Sequence, residues 1–166
     1  MYERSLELMS ILSKFGGGRM DTFPERMFNQ KVVFILSRIG IPDLDYPFNW
    51  YVRGPYSPEL TFDLYESQGI LDMLEHQQIV PSFNAGDAPA LNTFPNLLRE
   101  LKETDPDKDI EVKLEMIASI IYLAEQVAPW KDKQTAIREA LPRLKEHFKD
   151  WDIDKYLSIA SKYYRL

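Results

Sequence analysis

Cysteine is absent from the 166 residues. That excludes disulfides and thiolate metal sites, and it fits a reducing cytoplasm, the location expected for this chain. Histidine is nearly absent. His76 and His147 stand far apart, neither has a partner at ligand spacing, and both read as polar residues on helix surfaces. No stretch approaches the roughly 20 apolar residues of a membrane span. The N-terminus lacks the basic-then-apolar form of a signal peptide. A net charge of −6 argues against a general polyanion binder.

The sharpest shortage is local. Between Arg53 and Arg99 there is no lysine or arginine, and the gap holds Glu59, Asp63, Glu66, Asp72, Glu75 and Asp87. The opposite bias comes late: residues 131–166 carry nine basic against six acidic side chains, a net of +3. What the chain does have is apolar material. A hydrophobic fraction of 45% and 13% aromatics supply the core of one domain.

Residues 49–64, NWYVRGPYSPELTFDL, organise the reading. Phe48, Trp50 and Val52 alternate with Asn49, Tyr51 and Arg53, the period of a half-buried strand. Gly54-Pro55 is expected to break that strand. Ser57 is a natural N-cap, Pro58 suits the first helical position, and Glu59 favours the positive end of the helix dipole. Leu60 and Leu64 then face the core one turn apart, while Glu59, Asp63 and Glu66 share one exposed stripe.

Around this stretch the chain reads as helices. Glu3 to Phe15 is amphipathic and ends at Gly16-Gly17-Gly18, a C-cap and joint without the lysine of a phosphate-binding loop. Thr22 to Glu25 is a capping box for a helix reaching about Arg38. Gly69 divides the helix after Ser57 from a shorter one over Ile70–His76. Ile79–Phe83 and Pro89–Asn92, joined by Asn84-Ala85-Gly86-Asp87, form a hairpin. Thr93 caps the next helix, and Thr104–Asp109 is a solvated acidic linker whose alternating aspartates lack the glycine of a calcium loop. Ile110–Val127 is the most apolar helix. Lys133–Phe148 is one helix kinked at Pro142 or two, and Asp152 caps the last. The fold class is therefore mainly α (α+β). A winged-helix-like part over residues 1–93, with a short strand and a hairpin, precedes a helical bundle over residues 94–166, all in a single domain.

Lys31-x-x-Phe34-Ile35-Leu36, Phe48-x-Trp50-Tyr51 and Gly54-Pro55-Tyr56-Ser57-x-Glu59-Leu60-x-x-Asp63-Leu64 resemble the YwgA-like proteins, small prokaryotic proteins without an established activity. More distantly the chain is similar to the Panacea antitoxin domain, although here Tyr56 follows the glycine-proline pair instead of preceding it. The resemblance covers about residues 5–80. It implies a non-catalytic module that binds proteins, in some relatives a toxin, and it implies no cofactor.

Two functions follow. The first is a protein-interaction module, antitoxin-like, with an acidic face built from Arg53, Tyr56, Ser57, Glu59, Asp63 and Glu66 and a basic protein as partner. Like charges one turn apart cost an isolated helix about 0.2–0.5 kcal/mol per pair, which a basic partner would offset. Arg53 has two readings, a salt bridge to Glu59 or Asp63 or a ligand contact. The second function is a winged-helix DNA-binding regulator. Its helix and hairpin contain no cation for phosphates, so duplex DNA is disfavoured. An enzyme is not expected: Ser57 lacks both the G-x-S-x-G turn and a base.

Overall fold

A computed structural model describes residues 2–166. The chain is mainly α, with eight α-helices among the described residues and one small antiparallel sheet. In order these are α1 (Tyr2–Lys14), α2 (Phe23–Ile39), β1 (Asn49–Tyr51), β2 (Gly54–Tyr56), α3 (Pro58–Glu66), α4 (Gln68–Glu75), α5 (Ala88–Glu103), α6 (Ile110–Gln126), α7 (Lys133–Leu144) and α8 (Ile153–Ser161). Among the described residues no helix is long and apolar enough to cross a membrane.

Two helices make the centre. Residues 29–36 of α2 and 113–121 of α6 are buried on every side, and the two helices pack on each other. A helix buried all round has to be surrounded. Accordingly β2, α7 and α8 lie against α6, α1 and α3 against α2, and α5 touches both. One contiguous apolar core runs from Leu8 to Ala160. It passes straight through α5, inside which the expected division at residues 93 and 94 falls.

Local chemistry sets the helix starts. Thr22 Oγ1 accepts from the Glu25 N–H while Glu25 Oε1 accepts from the Thr22 N–H, completing the capping box of α2. The glycine run after α1 is tied down: the Gly18 N–H donates to Asn29 Oδ1 at 2.8 Å, and Asn29 Nδ2 donates to the Arg19 carbonyl. Asp152 caps α8, as expected, by accepting from the Lys155 N–H. Lys133–Leu144 is a single helix that carries Pro142 in its last turn.

Four expectations are corrected. The sheet is a hairpin over residues 49–56, with Trp50 opposite Pro55 and Tyr51 opposite Gly54. Gly54-Pro55 therefore belongs to a strand. Val52 lies in the turn and is 80% exposed. The hairpin expected at Ile79–Asn92 does not form: residues 80–84 are exposed and irregular, and α5 starts at Ala88. With it goes the wing of the winged-helix order. Thr93 consequently lies inside α5, its Oγ1 donating to the Pro89 carbonyl. The break after α3 falls at Ser67, with Gly69 inside α4. Finally, the Thr104–Asp109 linker is bound, because Asp105 accepts from Tyr156 Oη at 2.8 Å and from Lys155 Nζ.

Candidate functional site

Ser57 is fully buried and caps α3, its Oγ accepting from the Leu60 N–H. Gln30 on α2 holds the same residue from both sides. Its Nε2 donates to the Ser57 carbonyl at 3.0 Å and its Oε1 accepts from the Ser57 N–H at 2.9 Å. Ser57 is thus structural. Ser57→Ala should lower stability by about 0.5–2 kcal/mol through the lost cap. Urea unfolding reads this, and an unchanged midpoint would remove the capping role.

The remaining expected residues separate into two faces. Tyr56 is half-buried, stacks edge-on with Tyr51 at 5.0 Å, and its hydroxyl accepts from Thr61 Oγ1. Arg53 is exposed in the hairpin turn and makes no ion pair among the described residues, so the salt bridge to Glu59 or Asp63 is not formed. On α3, Glu59 and Glu66 are exposed, whereas Asp63 is half-buried and accepts from Tyr46 Oη at 2.8 Å. The stripe of three carboxylates is therefore two free ones and one engaged in packing. That packing, burial first, pushes the Tyr46 phenol well up.

Beneath the hairpin lies a buried ionic cluster that the sequence reading missed. Lys31, on α2, is 1% exposed and donates from Nζ to the Pro55 carbonyl at 2.8 Å. Glu115, on α6, is fully buried; its Oε2 lies 2.9 Å from His147 Nε2 and 3.9 Å from Lys145 Nζ, and its Oε1 has no donor. Lys145 donates to the Tyr51 and Val52 carbonyls and sits 4.5 Å above the Trp50 ring. Gly54 closes the roof. Its φ of +89° is the glycine region, and a Cβ there would meet Ser119 Oγ at 3.0 Å and Glu115 Cγ at 3.2 Å. Burial drives the protonation of this cluster: it lowers Lys31 to about 7 and Lys145 to about 8, and raises the Glu115 carboxyl. His147 lies on the surface, as expected, and from there its ring reaches the buried Glu115 carboxylate. For Lys31 a signal was present in the sequence, since the positions one turn away on either side, Met27, Phe28, Phe34 and Ile35, are all apolar.

A pocket of about 330 Å³ opens beside the cluster, between the first turns of α2, the hairpin and Thr61. Its walls are chiefly apolar, from Phe23, Met27, Tyr51 and Tyr56, and it includes Arg26, Lys31 and Arg53. Among the described residues no group of histidines and carboxylates is arranged to hold a metal ion. No protein-family model matches the chain, and no curated protein or solved structure matches it.

Proposed function

We propose that this chain is a non-catalytic protein-interaction module, of the YwgA-like or antitoxin-like kind, which docks a basic protein segment on the outer face of α3. One observation carries the reading. Phe62 and Tyr65 are 62% and 51% exposed on that face, set between Glu59 and Glu66, whose carboxylates have no ion-pair partner among the described residues. Large exposed aromatics are the usual anchors of an interface, and unpaired carboxylates at their rim select cations and speed encounter. Basic and apolar groups together complement such a face. Neither α3 nor α4 carries a cation, so the same face repels nucleic-acid phosphate.

The test uses peptides of defined sequence. Selection from a random displayed library should enrich lysine or arginine next to an apolar residue. Phe62→Ala with Tyr65→Ala should then weaken a selected peptide by about 2 kcal/mol or more. Glu59→Gln with Glu66→Gln should slow association, with a deficit that shrinks in salt. Asp63 is left intact, because its bond to Tyr46 makes it part of the fold. Peptides without a basic bias, or affinities indifferent to both double variants, would refute the docking face.

A further inference from the structure

The pocket between α2 and the hairpin is opposite in sign to the net charge of the chain. The chain carries a net charge of −6, yet the charged side chains lining this pocket are Arg26, Lys31 and Arg53, with no aspartate or glutamate. The cations are not consumed internally. Arg53 has no ion-pair partner among the described residues, and Arg26 spends one nitrogen, Nη1, on the Met20 carbonyl at 3.0 Å. Lys31 is fixed to the Pro55 carbonyl at the buried side of the pocket, which leaves Arg26 and Arg53 as the cations that can meet a ligand.

The walls state what else must be present. Phe23 and Tyr51, which are 52% and 45% exposed, stand with Met27 and the half-buried Tyr56. Flat aromatic side chains around a volume of about 330 Å³ suit a flat ring system, at the small end of ligand pockets. A guanidinium presents parallel donors that match the two oxygens of a carboxylate. An apolar wall with two guanidiniums fits a ring bearing one carboxylate better than a sugar phosphate or nucleotide, whose many polar atoms would lose water without replacement.

We infer that this pocket binds a small aromatic monocarboxylate, with the rings against Phe23, Met27 and Tyr51 and the carboxylate on Arg53 and Arg26. The site is separate from the α3 docking face, and either can fail without the other. Arg53 gains the ligand role that its position in an exposed turn leaves open. Its conformation needs no internal bond, whereas Arg26 also supports the Met20 carbonyl. Arg53→Gln is therefore the cleaner probe.

Naphthalene-2-carboxylate and its uncharged counterpart naphthalene-2-carboxamide test the assignment by calorimetric titration at low ionic strength. The acid should bind saturably and more tightly than the amide. Arg53→Gln should weaken the acid about tenfold or more, a loss of one charge-assisted contact, and leave the amide unchanged. Arg99→Gln, a distant surface change, and Glu59→Gln with Glu66→Gln should leave both probes unchanged. Absence of saturable acid binding would overturn the inference. So would equal affinity for acid and amide, or an Arg53→Gln variant that binds the acid as well as wild type or loses both probes alike.

Discussion

Glu115→Ala should lower the free energy of unfolding by about 3–5 kcal/mol, the cost of removing one member of a buried ionic cluster. The carboxylate is fully buried and is the acidic partner that Lys145 and His147 share; its charge also opposes the lowering of the Lys31 amine. Without it, two buried lysines face each other across a low-dielectric space. They respond by giving up protons, and the free energy of that deprotonation at neutral pH is taken from the fold. The control is Glu115→Leu with Lys145→Met. Replacing both charges by apolar groups of similar volume should recover a large part of the loss, although the Tyr51 and Val52 carbonyls must then find water. Urea unfolding of Glu115→Leu, of Lys145→Met and of the double variant gives the coupling directly. Additive losses would mean that the cluster is an accident of packing.

The second large effect depends on pH. Glu7, on α1, is 6% exposed, and its Oε2 has no donor among the described residues. Burial first, then the Asp87 carboxylate beside it, then Asp43, raise the Glu7 carboxyl from 4.5 to about 7. The folded state therefore binds more protons than the unfolded chain between these two values, and stability falls as pH rises through that window. Above about pH 7 the full penalty applies; below 4.5 it is gone. Glu7→Gln keeps the shape and removes the charge, so the two proteins should match near pH 4. At pH 8 the variant should be more stable by about 3 kcal/mol, from about 1.4 kcal/mol per pKa unit. A difference between the two midpoints that stays flat from pH 4 to 8 would exclude burial of an ionised Glu7.

How much of this was legible depended on range. The Thr22 and Glu25 box, the Ser57 cap and the Leu60 and Leu64 face are local, and each needs only residues three or four apart. The hairpin was misplaced because Gly54-Pro55 carries the marks of a chain stop. In a two-stranded sheet both strands are edges, where proline costs no ladder bond, so the stop signal and the strand coexist. Ile79–Phe83 has strand-like composition but no partner, and it stays irregular. Of the candidate site, the α3 carboxylates were readable from helical spacing. The pocket was not, because Arg26 and Arg53 are brought to one cavity only by the fold.

The contact from Lys145 to the hairpin turn also bears on how the protein is made. A lone two-stranded hairpin is marginal in water, and this one is held by an amine that lies about ninety residues further along the chain. At about 5–20 residues per second, a ribosome needs roughly 4–18 s to travel from Tyr56 to Lys145. For most of that interval α2 is complete but lacks α6, the surface that covers it, because α6 ends only at Gln126. The nascent chain thus carries α2 uncovered until α6 is made, and the hairpin locks only once Lys145 has emerged.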